Sequence, residues 1–295
     1  MSGRIVVGYT ATEAGADALA LAVRMAAAAA STLDVVMVLP SEDRSVITPP
    51  AASYARHLRE TAADWLERAA ETIPDAVGHR RHVRHADSFA EGLITAAGEF
   101  EASHIVVGAA NGGLRGRHRL GTVASELMHY SDVPVVLAPE GAREIDPSQG
   151  VARVTAAIGT RPGGDVLLAE AVALAAESGA ALRLLSLATV DLPAGVDTGV
   201  IRLTGDTHGE AVLAQARAAL PAGVEAEVVT ASGDDIEEAV QGIDWLPTEI
   251  AMVGSSRLAQ PRRLFLGSTA AKMLHVLPVP MIVVPRTRGV EGAVR

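Results

Sequence analysis

The feature that most constrains this chain is that it repeats itself. The stretch "GTVASELMHYSDVPVVLAP" (residues 121–139) lies over "GSTAAKMLHVLPVPMIVVP" (267–285) without a gap. Gly121 and Gly267, Ala124 and Ala270, His129 and His275, Val133 and Val279, Pro134 and Pro280, and Pro139 and Pro285 coincide, and most other pairs exchange one apolar residue for another. Whatever one half folds into, the other folds into as well.

The order of elements within each half follows from hydrophobic periodicity. In the first half a short buried strand, "RIVVGY", precedes a helix over 14–30 and the strand "LDVVMVL". A helix over roughly 51–72, a strand near 77–85, a helix over 88–100, the strand "HIVVG", a helix over 121–131 and the strand "VPVVLA" complete it. The second half reads "VTAAIG", helix 164–178, "ALRLLSL", helix about 205–220, "VEAEVVT", helix 234–244, "EIAMVG", helix 267–277 and "VPMIVV". Strands alternating with helices require crossover connections and hence a parallel sheet. The expected fold is α/β: two Rossmann-like domains over 1–140 and 151–288, each a five-stranded parallel sheet flanked by helices. The polar segment 141–150 joins them.

Composition agrees and excludes several functions. Half the residues are hydrophobic but only 3% are aromatic, as suits parallel strands under Ala-rich helices. The absence of cysteine removes disulfides, thiolate metal sites and thiol nucleophiles. A net charge of −10 disfavours a phosphate polymer, so no nucleic-acid partner is expected. No apolar run reaches the roughly 20 residues of a membrane span, and the first 30 residues make no convincing signal peptide, so the expectation is no membrane partner and a cytoplasmic protein. Lys272 is the only lysine, and no GxxxxGK[ST] loop exists.

In an open parallel sheet, ligands bind beyond the carboxyl ends of the strands where strand order reverses. That places the end of strand one (Gly8, Tyr9, Thr10) beside the end of strand four (Val107, Gly108), and in the second half Gly159 and Thr160 beside Val253 and Gly254. Thirteen positions after Gly108 and Gly254, Gly121-Thr122-Val123 and Gly267-Ser268-Thr269 open a helix. Its first N–H groups and hydroxyl suit an anionic oxygen. The competing reading is that Thr122 and Ser268 are ordinary helix caps. Arginines in both intervening loops (Arg115, Arg117 and Arg119; Arg257, Arg262 and Arg263) favour an anion, because the guanidinium fork donates paired hydrogen bonds.

This G-x2-G-x9-G-[ST] spacing, followed by a helix and a "VPVV" strand, resembles the nucleotide loop of universal stress proteins, and the likeness to a tandem member covers nearly the whole chain. The resemblance implies a non-enzymatic stress protein whose loops bind ATP or a related adenine nucleotide, possible magnesium included, and which pairs through its last strands as a homodimer or an internal pseudo-dimer. It also implies that Val38 and Leu187, at the ends of the second strands, meet the adenine side. The alternative is a stress protein without nucleotide, working as an oligomeric partner-binding module.

Two departures separate the halves. The middle glycine of the motif is Asn111 in the first half, which tolerates a left-handed backbone, and Arg257 in the second. The family's acidic residue after strand one is absent: Thr10 stands there, and Arg161 is the expected counterpart. Thr10 can accept a hydrogen bond and arginine cannot, which makes the first site the better expectation.

Other groups read as structural. His79, His82 and His85 lie on a strand, where His79 and His85 share a face about 20 Å apart at roughly 3.3 Å per residue, so they read as a solvated strand. His129 and His275 suit the carbonyls of a last helical turn. "SGDDIEEA" reads as Asp234 capping a helix with acids in its first turn. No paired carboxylates, metal cluster or activated nucleophile emerges, and an enzyme is the weakest reading.

Overall fold

The structure is a computed structural model, and it describes residues 3–41, 52–110, 120–159, 163–189, 199–255 and 264–285. The first half runs β1 (Arg4–Gly8), α1 (Glu13–Ala29), β2 (Thr32–Pro40), α2 (Ala52–Ala70), β3 (His79–Ala86), α3 (Phe89–Glu99), β4 (His104–Gly108), α4 (Thr122–Tyr130) and β5 (Val135–Ala138). The second runs β6 (Arg153–Ala157), α5 (Gly164–Ser178), β7 (Ala181–Thr189), α6 (Gly199–Ala218), β8 (Glu227–Gly233), α7 (Ile236–Gln241), β9 (Glu249–Gly254), α8 (Ser268–Val276) and β10 (Met281–Val284). Strand β8 begins three residues later than its apolar pattern suggests, and α6 starts before residue 205.

The halves share one ten-stranded sheet in the order β3-β2-β1-β4-β5-β10-β9-β6-β7-β8. Within each half all five strands are parallel. The seam is the antiparallel pair β5–β10, with Ile282 opposite Val136. The two alternatives for pairing through the last strand are thereby decided for this chain's own halves, which form the internal pseudo-dimer. Helices α1, α2, α5 and α6 bury Leu21, Leu66, Leu167 and Leu213 on one face; α3, α4, α7 and α8 bury Leu93, Leu127, Ile236 and Leu274 on the other. Both of these clusters cross the seam, so most of the core is shared, while a small third cluster (Leu185, Ala231, Ala239 and Ile243) lies within the second half.

The linker is tied down. The carboxylate of Asp17, 1% exposed on α1, accepts from the Gly141 and Arg143 N–H groups and from the Arg143 guanidinium, at 3.2, 3.0 and 3.0 Å.

The helix starts show the duplication at atomic detail. Ser88 caps α3 by accepting from the Glu91 N–H, and Glu91 reaches back to the Asp87 N–H. Asp235 and Glu238 do the same for α7, with Glu238 accepting from the Asp234 N–H. The cap is therefore Asp235 rather than Asp234. Both acids stand three residues before a glutamate, Glu237 or Glu238, so spacing alone does not choose between them; the Glu238 N–H bond to Asp235 does.

Candidate functional site

The reversal of strand order falls between β1 and β4 in the first half and between β6 and β9 in the second. Val7 lies opposite Val106, and Ala157 opposite Val253. The candidate residues Gly8, Tyr9, Thr10, Val107 and Gly108 thus gather at one rim of the sheet. Each loop is pinched where it leaves that rim. A Cβ on Gly121 would lie 3.3 Å from the Ala110 Cβ, so the chain returns to its starting point. In the second half the Phe265 N–H donates to the Ser255 hydroxyl at 2.8 Å. Asn111, Thr160, Arg161, Arg257 and the loop arginines Arg115, Arg117, Arg119, Arg262 and Arg263 lie outside the described residues.

The helix starts themselves answer the capping question. The N-cap of α4 is Gly121 and that of α8 is Gly267, neither with a side-chain cap. Thr122 and Ser268 are the first helical residues, and both are exposed. Their hydroxyls do not spend themselves on the helix's own amides, so the positive end of each short helix faces outward beside the strand ends.

The rest of the rim differs between halves. In the first, α1 sits directly on the strands: a Cβ on Gly108 would fall on the Ala14 carbonyl, and one on Gly15 on the Thr10 carbonyl. Gly108 is thus required by the close approach of helix α1. Thr10 and Thr12 share a hydrogen bond between hydroxyls at 2.9 Å, and Thr12 accepts from the Gly15 N–H at 3.3 Å to cap α1. In the second half, among the described residues, a Cβ on Gly254 would meet nothing nearer than Leu167 Cδ2 at 3.9 Å, and one on Gly159 nothing within 4 Å.

Register corrects one equivalence. The Tyr9 N–H donates to Val36 and the Ile158 N–H to Leu185, and the left-handed residues ending α1 and α5 are Ala30 and Gly179. Each of these pairs has the offset that carries Arg4 onto Arg153. Thr10 therefore corresponds to Gly159, not to Arg161, and Gly8 to Ala157. The arginine was misplaced because "VGYT" and "IGTR" align on a glycine that the strands do not share.

Several predicted contacts are core residues. Val107 and Val253 are each 4% exposed, and both Val38 methyls would crowd a Cβ on Gly92 at 2.7 Å, so α3 already covers Val38. Leu187 is half-buried beside the equivalent cluster. Tyr9 packs on the opposite cluster, where burial pushes its phenol up from the ordinary value.

Sequence reasoning passed over the buried charges, which sit at the opposite, amino-terminal rim. Asp34, wholly buried, accepts from Arg4 Nε and Nη2 at 2.8 and 2.7 Å and faces His82 Nε2 at 2.8 Å. The His82 ring lies 4.5 Å from Phe100, so this histidine is held in place rather than solvated. In the second half Glu249, also wholly buried, binds Arg153, Arg183 and Thr155. Asp34 and Arg183, as charges inside apolar strand runs, were the visible signal. Arg24 stands apart: it is 1% exposed, none of its guanidinium nitrogens has a hydrogen-bond partner among the described residues, and burial lowers its pKa to about 10.

Comparison with known proteins places this arrangement. The profile of the universal stress protein family matches residues 1–139 and again 151–285. The chain belongs to the universal stress protein family. Universal stress proteins of Mycobacterium tuberculosis and Mycobacterium bovis are each 27% identical over 292 residues, covering 95% of this chain and 99% of theirs. A crystal structure of a universal stress protein from Archaeoglobus fulgidus matches with a TM-score of 0.69 and 19% identity over 97% of this chain and all of its own. A functionally unknown protein from Pseudomonas aeruginosa matches at 0.58 and 16% identity over 96% of this chain and 92% of its own. At that identity the structural likeness is one of fold. The tandem α/β architecture is thus that of a universal stress protein, and among the described residues no helix is long and apolar enough to cross a membrane.

Proposed function

We propose that this universal stress protein binds ATP or a related adenine nucleotide at the rims where strand order reverses, with phosphate oxygens at the uncapped starts of α4 and α8, and that it acts as a non-enzymatic sensor. The observation that carries the reading is the pair of glycine N-caps at Gly121 and Gly267, each followed by an exposed hydroxyl residue. Two helices that each forgo a side-chain cap at the same place leave outward-facing amides suited to an oxyanion. Adenine as the base comes from the family resemblance alone. Magnesium, if bound, would be held through the phosphates, since among the described residues no group of three His, Asp or Glu could hold a metal ion.

Calorimetry with ATP tests this. Wild-type protein is expected to bind, and Thr122→Glu and Ser268→Glu, which keep a good first-turn residue but set a negative charge against phosphate, each to weaken one site by about tenfold or more. Absence of binding at millimolar ATP in the wild type would reject the reading. Steady hydrolysis abolished by Thr122→Glu would reject the non-enzymatic part.

A further inference from the structure

In a duplicated chain, the residues that break the duplication are informative. In the register that sets Gly121 over Gly267, Ser255 replaces Ala109, Leu264 and Phe265 replace His118 and Arg119, and Ser131 replaces Leu277. All four of these departures meet at one point on the seam. Ser131 ends α4 and is wholly buried, yet each of its polar groups is used. Its N–H donates to Leu127 O, its hydroxyl donates to Val133 O at 2.7 Å and accepts from Val133 N–H at 3.1 Å, and its carbonyl accepts from Leu264 N–H, across the seam, at 2.9 Å. Leu264, 1% exposed, enters an apolar cluster built from both halves. Phe265 is gripped from its own half by Ser255, whose hydroxyl accepts from its N–H at 2.8 Å and donates to its carbonyl at 3.3 Å. From the other half, the His129 imidazole meets the Phe265 ring edge-on at 5.1 Å.

Two residues beyond Phe265 stands Gly267, the uncapped N-cap of α8. A helix start without a side-chain cap takes its aim from whatever holds the chain leading into it. Here that chain, 264–267, is held by the last turn of α4. The geometry allows this because the halves are antiparallel: α4 runs back along its strands, so its start lies at the first rim and its end at the second. The first half lacks the side chains of this grip, since Ala109 stands where Ser255 holds Phe265 and Arg119 stands where the Phe265 ring meets His129.

We propose that Ser131 and His129 of the first half are positioning residues for the second half's phosphate site, which is therefore completed only across the seam. This rests on the nucleotide reading above for its ligand but not for its structural content. The test uses full-length protein in two measurements. In a Thr122→Glu background, where the first site is weakened and the second dominates binding, His129→Ala is expected to weaken ATP about three- to tenfold, and His129→Phe, which keeps the ring contact, to recover most of that loss. His275→Ala in a Ser268→Glu background is expected to leave first-site affinity within about twofold. Without ligand, amide hydrogen exchange over 264–267 is expected to quicken in His129→Ala and in Ser255→Ala and to return toward wild type in His129→Phe. Unchanged exchange in both His129→Ala and Ser255→Ala overturns the proposal. So does a loss of affinity that His129→Phe fails to recover, which would mark a general structural defect. If wild-type protein binds no nucleotide at either site, the functional reading fails by itself, and the exchange measurement alone decides the positioning claim.

Discussion

The two halves set the same arginine into the same strand and neutralise it differently. Arg4 on β1 pairs with Asp34 on the neighbouring β2, while Arg153 on β6 pairs with Glu249 on the neighbour at its other side, β9. At the position of Asp34 the second half carries Arg183, 3% exposed and bound to the same Glu249. Burial lowers the Arg183 pKa, with Glu249 acting against that shift. The position of a buried acid has changed between halves, but charge balance within a few ångströms has not, because Arg153 also pairs with Glu227 at 3.2 Å. A duplication can exchange partners across strands provided no ion is left alone, because a lone buried charge costs far more than the pair gains.

This comparison can be broken at several points. The largest effect is expected from Glu249→Ala, which leaves the buried Arg183 without a carboxylate and Arg153 with Glu227 only: about 3–5 kcal/mol of stability lost in urea titration. Asp34→Ala should lose less, roughly 1–3 kcal/mol, because the Arg4 side chain is 27% exposed and can turn to water. Equal losses would show that the clusters are interchangeable. Next comes the rim. Gly108→Ala forces a methyl onto the Ala14 carbonyl and should lose about 2–3 kcal/mol, whereas Gly254→Ala should stay within about 0.5 kcal/mol. Arg24 has no charged counterpart, since the equivalent position is Ala173. Replacing it by Met should raise stability by about 1–3 kcal/mol in the same titration, because the unpaired cation is removed and its volume kept. Smallest is Ala30→Gly. The first half ends α1 with alanine at φ 49° where the second uses Gly179 at φ 65°, and the exchange should gain about 0.5–1 kcal/mol in thermal unfolding.

Much of this was legible in the sequence, for identifiable reasons. Buried strands such as "HIVVG" and Ala-rich helices such as α1 announce themselves through apolar runs, and the repeat fixed their order twice over. The candidate site's position was argued from strand order, and the order observed has its reversal where alternation of strand and helix put it. Glycine, however, reads the same whether a ligand or another stretch of backbone comes close, and at Gly108 only the structure shows that the Ala14 carbonyl does. The mistaken match of Arg161 to Thr10 has the same origin, a glycine taken as a fixed point. Pairing of Arg183 with Glu249 joins residues on strands that are not even neighbours, so no local pattern announces it. The contact between Ser131 and Leu264 likewise depends on how the halves face each other.

The antiparallel junction of β5 and β10 has one further consequence. It turns the halves end for end, so their two candidate rims lie at opposite edges of the sheet. Anything that docks over one rim is kept from the other by the full height of the sheet. A single copy could therefore present two separate visitors with two independent faces, like a double-ended socket, without either crowding the other.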